Sequence, residues 1–215
     1  MGKDLLASPF FDFGALDAAP LTRDPFAFVI VPNFIKPAAF KDIAGAFPNV
    51  PGPGSFPPET LAIGEAFRTL LDDLDGPCFR QAIERKFEID LTGRPKMLTI
   101  RGHARRKDGD IHTDTATKLI SVLLYMNEEW DEDGGRLRLL RAPKLNEAVA
   151  EVAPVGGTLL AFRRSDVSWH GHAPYEGPRR VIQFNWMTKD EAVAWQRSRH
   201  FASAAFKKMS RLFSV

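Results

Sequence analysis

The chain has 215 residues, 44% of them hydrophobic and 26% charged, which is enough to bury a sizeable core and unlike a disordered or fibrous sequence. Its 29 Lys and Arg against 27 Asp and Glu leave a net charge of +2, so the chain as a whole is no electrostatic match for nucleic acid or an anionic membrane. The single cysteine, Cys78, excludes an intrachain disulfide framework and a cysteine-based zinc site, and leaves transition-metal chemistry to the five histidines.

No run approaches the roughly 18 apolar residues that span a bilayer, and a basic-then-apolar leader is missing, so a cytoplasmic protein without a membrane span is expected. In chain order, Phe26 to Val31 (FAFVIV) reads as a strand, and Lys36-Pro37 opens a helix to about Phe47 with proline in its first turn. Pro48 to Pro58 holds too many prolines and glycines for a regular element; it is expected to be a connector, with a segment lying over a site as the alternative. Two helices are expected between Glu59 and Glu88, broken at Asp75-Gly76-Pro77, with stripes at Leu61, Ala66, Leu70, Leu71 and at Phe79, Ala82, Ile83, Phe87.

Beyond Pro95 the pattern turns to strands: Met97 to Ile100, Asp110 to Asp114, Lys118 to Met126, Arg136 to Leu140, Ala150 to Pro154, Thr158 to Phe162, Ser168 to His172 and Arg180 to Met187. Their close spacing, the turn signals Asp133-Gly134-Gly135 and Gly156-Gly157, and the lack of helices between them predict antiparallel pairing in a sandwich or jelly roll. The run Leu119 to Met126 is apolar at nearly every position, so that strand should be covered on both faces, by the barrel interior and by the N-terminal helices. Thr188 to Glu191 is a capping box opening a basic terminal helix, whose Phe201, Ala204, Ala205, Met209 and Leu212 form a stripe suited to a homodimer contact or to packing on the domain. The expected organisation is one α+β domain: a strand and helix support over 1–95, a β core over 96–188 and a C-terminal helix over 189–215.

The chemistry centres on His112-Thr113-Asp114. Positions i and i+2 of an extended chain share a face, so an imidazole and a carboxylate can meet one ion from a single strand. A third ligand is offered by Ser168-Trp169-His170-Gly171-His172, where His170 is preferred and His172 is a close rival. Two imidazoles and one carboxylate form the facial triad of non-haem Fe(II) oxygenases, although zinc accepts the same ligands. Arg180 heads a strand whose Ile182, Phe184 and Trp186 share its face. A guanidinium in such company suits a bidentate anion, whereas Arg179 is expected to face solvent. His103 and His200 are expected on the surface.

From about Met97 to Trp186 the sequence resembles the Fe(II)- and 2-oxoglutarate-dependent dioxygenases, in the prolyl-4-hydroxylase-like branch. The resemblance rests on HTD at 112–114, LISVLLYMN, DGGRLRLL at 133–140, APVGGTLLAF at 153–162, SWHGHAP at 168–174 and the Arg180 strand. It implies a double-stranded β-helix (jelly roll) in which His112, Asp114 and His170 bind Fe(II) and Arg180 binds the distal carboxylate of 2-oxoglutarate. Oxygen is then consumed, succinate and carbon dioxide are released, and a C–H bond of a protein, peptide, amino-acid or small-molecule substrate is hydroxylated, with ascorbate as a reductant by family alone. The carboxylate of Asp114 favours hydroxylation over halogenation. The branch's cosubstrate tyrosines have no evident counterpart, since Leu124 is assigned the inward position with Tyr125 pointing away; Arg101 is the substitute considered. The alternatives are a cupin-type metal enzyme that uses no 2-oxoglutarate and a non-catalytic barrel acting as a binding module.

Overall fold

A computed structural model describes residues 8–188. The expected C-terminal helix, its dimer contact and His200 lie outside the described residues. In order come α1 (Phe13–Ala18), β1 (Phe28–Val31), α2 (Pro37–Gly45), α3 (Glu65–Leu74), α4 (Pro77–Phe87), β2 (Lys96–Ala104), β3 (Lys118–Tyr125), β4 (Leu137–Leu140), β5 (Ala148–Val152), β6 (Leu159–Arg163), β7 (Trp169–Gly171) and β8 (Gly177–Met187). None of the described helices is long and apolar enough to cross a membrane.

The strands form two facing antiparallel sheets, one in the order β1-β6-β3-β8-β2 and one in the order β5-β4-β7. Facing sheets with this antiparallel pairing are the jelly roll, a double-stranded β-helix, here with supporting helices. The larger sheet is buried twice. Its outer face carries Ile120, Val122, Leu124, Ile182, Phe184 and Trp186 and packs on the helices, where Phe79 stacks on Trp186 with ring centroids 5.8 Å apart. Its inner face carries Leu123, Tyr125, Leu160, Phe162 and Val181 and meets Leu137, Leu139 and Val152 of the smaller sheet. Double burial is why β3 is apolar without alternation.

The helices follow their local signals. Gly76 caps α4 and Pro77 takes its first position, where the missing N–H is not needed. The α4 stripe of Phe79, Ala82, Ile83 and Phe87 is buried as expected, but α3 buries Phe67, Leu70, Leu71 and Leu74 and leaves Ala66 exposed. Helix α1 was not expected; Asp12 caps it by accepting the Ala15 N–H at 2.8 Å. The Pro48–Pro58 segment is more than a connector, because Phe56 bridges to Ile100 on the edge strand β2 and Ser55 lines the cavity that also holds His112, Asp114 and His170. Gly157, at φ +64°, turns the chain into β6, and a Cβ there would stand 2.8 Å from Ile35 Cβ.

Candidate metal centre

The segment expected as a strand at Asp110 to Asp114 contributes an isolated bridge instead. A 3-10 turn at Arg106–Gly109 carries the chain across the cavity mouth, and Asp108 fixes that turn by accepting the Arg105 N–H at 3.0 Å. His112 and His170 then exchange backbone hydrogen bonds, each N–H donating to the other's carbonyl at 3.0 Å. The HTD segment is thereby pinned beside β7, and the alternation of an extended chain turns His112 and Asp114 toward His170.

One donor atom from each of His112, Asp114 and His170 lies within 4.8 Å of the other two. The imidazole Nδ1 of His112 sits 2.8 Å from the Asp110 carbonyl, and that of His170 sits 2.9 Å from the Ser168 carbonyl. A carbonyl only accepts, so Nδ1 carries the proton in each ring and Nε2 presents a lone pair. Burial drives the His170 pKa down to about 4, with Asp114 partly opposing it, so the ring is neutral at physiological pH. Burial alone would raise the Asp114 pKa, but Lys118, His170 and Ser121 outweigh it and hold the carboxyl below its usual range. Lys118 Nζ donates to Asp114 Oδ1 at 2.7 Å and Ser121 Oγ donates to Oδ2 at 2.5 Å. Two imidazoles and a fixed carboxylate are a donor set that fits Fe(II). His172 shares the cavity but stands outside this cluster, packed on Gly109 with Nδ1 donating to the Ala173 carbonyl at 2.8 Å.

The cationic end of the cavity corrects the sequence reading. Arg180 lies on the outer face of β8, with its guanidinium 5.6 Å from the Phe47 ring centroid, and does not line the cavity. Its face is the one shared with Ile182, Phe184 and Trp186, as expected, but that face meets the helices. Arg179 points inward instead. It is buried, donates Nε to the Gly135 carbonyl at 2.8 Å and lies 5.5 Å from the Tyr125 ring centroid. The same inversion moves the tyrosine: Leu124 packs on the helices and Tyr125 faces the interior. One mis-assigned face explains both, because Leu124 pairs with Ile182 and Tyr125 with Val181 across β3 and β8.

Tyr125 is wholly buried, and its hydroxyl has no hydrogen-bond partner among the described residues. Burial pushes the phenol pKa up, with Arg179 partly offsetting it. Arg101 also lines the cavity, but Asp108 holds its guanidinium at 3.3 Å. Arg179 has no carboxylate of its own among the described residues, whereas Arg101 shares Asp108 with Arg105. His103, expected on the surface, is exposed and borders the cavity mouth.

The sequence profile of the 2OG-Fe(II) oxygenase superfamily matches residues 101–188. Residues 101–188 are a 2OG-Fe(II) oxygenase domain. The chemistry of that family uses Fe(II), 2-oxoglutarate and oxygen, and the oxygenase domain contains the whole His112, Asp114, His170 cluster. Among solved structures the chain is similar to a prolyl-4-hydroxylase from Pseudomonas putida, at 20% identity and TM-score 0.57, covering 85% of this chain and 97% of that one. It is also similar to a prolyl 4-hydroxylase from Phytophthora capsici (18% identity, TM-score 0.53, 87% and 68% covered) and to an oxidoreductase of the 2OG-Fe(II) oxygenase family from Burkholderia pseudomallei (12%, 0.53, 82% and 91%). These likenesses establish the common fold. No curated protein matches the chain in sequence.

Proposed function

We propose that the protein is an Fe(II)- and 2-oxoglutarate-dependent hydroxylase in which His112 Nε2, His170 Nε2 and an Asp114 oxygen hold the metal and Arg179 grips the distal carboxylate of 2-oxoglutarate. The observation that carries this reading is the convergence of three metal donors within 4.8 Å on a cavity that also holds an uncompensated guanidinium. When bound, iron supplies the oxidising chemistry that couples decarboxylation of the 2-oxo acid to hydroxylation of a C–H bond.

The side chains supply position and charge. The Asp110 and Ser168 carbonyls fix the imidazole tautomers, and Ser121 orients the carboxylate, as supporting shells of metal sites commonly do. Arg179 gains a bidentate anion for its outer nitrogens, and the Tyr125 hydroxyl gains an acceptor for its orphaned proton, so one carboxylate satisfies both. Leu123, Leu137 and Phe162 contribute apolar wall between the charged groups and limit water there.

Incubation with Fe(II), 2-oxoglutarate and oxygen should yield succinate, and Asp114→Ala should abolish it with the fold retained by circular dichroism. Binding of 2-oxoglutarate to the Mn(II)-loaded protein gives the reading without a substrate; no binding there refutes the cosubstrate assignment. A cupin-type enzyme that uses no 2-oxoglutarate would keep its metal-dependent activity in Arg179→Met.

A further inference from the structure

The cavity is about 460 Å³, at the lower part of the roughly 300–1,000 Å³ range of ligand pockets, and its two ends differ. Arg179, over the buried Tyr125 ring, lines one end. Toward the other end, β2, β8 and β3 bring Thr99, Gln183, Asn185 and Ser121 onto one stretch of inner wall, with Ser121 and Asn185 directly opposed across the strands. Lys118 closes this polar stretch beside Asp114. Asn185 is 3% exposed, and its side-chain amide makes no hydrogen bond among the described residues. Thr99 donates to Gln183 Oε1 at 3.4 Å, which leaves the Gln183 amino group without a protein acceptor among the described residues. The unused amide groups of buried Asn185 and half-buried Gln183 on a cavity wall call for a polar ligand.

Charge points the same way. The cavity is lined by the cations Arg101, Lys118 and Arg179 and by the carboxylates Asp108 and Asp114. Arg101 shares Asp108 with Arg105, a divalent ion would take Asp114 as its own ligand, and the dianionic cosubstrate would offset the ion's charge and engage Arg179. Beside the metal donors, Lys118 is then the cation left without a carboxylate of its own. Its ammonium has three donors and spends one on Asp114, so the others are free for a second anion beside the metal.

We propose that the primary substrate carries a free carboxylate, bound by Lys118 next to the metal, while the Asn185 and Gln183 amides take its neighbouring polar groups. A residue inside a peptide chain lacks that carboxylate, so the site selects a small acid over an internal peptide segment. The proposal rests on the oxygenase reading above.

The test uses the full chain loaded with Mn(II) and 2-oxoglutarate, probed by paramagnetic broadening of the NMR lines of butanoate, pentanoate, hexanoate and the common α-amino acids, each compared with its carboxamide. The acids should bind at least about tenfold more tightly than the amides, as expected for a charge-assisted contact. Lys118→Met should erase the preference, with Mn(II) held no more weakly than in the wild type because no ammonium competes for Asp114. Lys118→Arg should restore it, and Asn185→Leu should weaken acid binding without touching a metal ligand. Equal binding of acids and amides by the wild type, or a preference that survives Lys118→Met, overturns the proposal alone. Failure of the wild type to bind Mn(II) or 2-oxoglutarate overturns the oxygenase reading and the proposal together.

Discussion

Acid should weaken the metal-free protein through His170 before the carboxylates titrate. The ring is buried against Phe162, His112 and Asp114, and burial lowers its pKa from 6.5 to about 4. The folded protein therefore keeps it neutral across a window in which the unfolded chain takes up a proton. The stability this neutral ring provides is fully present above the unfolded value of 6.5 and is lost as pH falls toward the folded value of about 4. The lowering from 6.5 to about 4 amounts to about 3 kcal/mol in the acid limit, of which about 2 kcal/mol is lost by about pH 5. His172 is lowered by burial as well and adds a slope of the same sign, so the comparison must be with His170→Gln and not with a flat line. Urea unfolding in EDTA at several pH values between 7 and 4.5 measures the difference. Wild type should lose stability toward acid more steeply than His170→Gln, the two curves converging by the stated amount. Parallel curves would show that the ring is already solvated or protonated in the folded state, and would remove the basis for a buried neutral ligand.

At the other end of the cavity, Arg179→Met should weaken 2-oxoglutarate binding to the Mn(II)-loaded protein by about 2–5 kcal/mol, measured by calorimetry, while Arg180→Met stays within about twofold of wild type. The reverse pattern would restore the face assigned from sequence. Tyr125→Phe should cost about 1 kcal/mol of the same binding, since one hydrogen bond to the carboxylate is lost and the ring remains. Gly157→Ala should destabilise the fold by about 1–3 kcal/mol in chemical denaturation, because φ is +64° and the new methyl would stand 2.8 Å from Ile35 Cβ.

Local patterns in the chain were enough for the antiparallel β core, the break at Gly76-Pro77, the α4 stripe and the placing of His112 and Asp114 on one face. Each depends on neighbours in sequence: a glycine-proline break, a helical period, or the i, i+2 alternation that turns an HTD segment's first and third residues to one face. The preference for His170 over His172 was made from the sequence, and the fold gives it a physical reason: both imidazoles line the cavity, and only the bridge to His112 brings one of them to the metal donors. What alternation cannot supply is the sign of a face. On β3 and β8 both faces are apolar, one against helices and one against the opposite sheet, so hydrophobicity carries no mark to separate inside from outside. Arg180 with Phe184 and Trp186 looked like a pocket wall and is a helix-packing surface, whereas Arg179 and Tyr125 are the polar groups turned inward. That decision belongs to the packing of α1 to α4 against one side of the larger sheet, and with it went the identity of the arginine that faces the cavity.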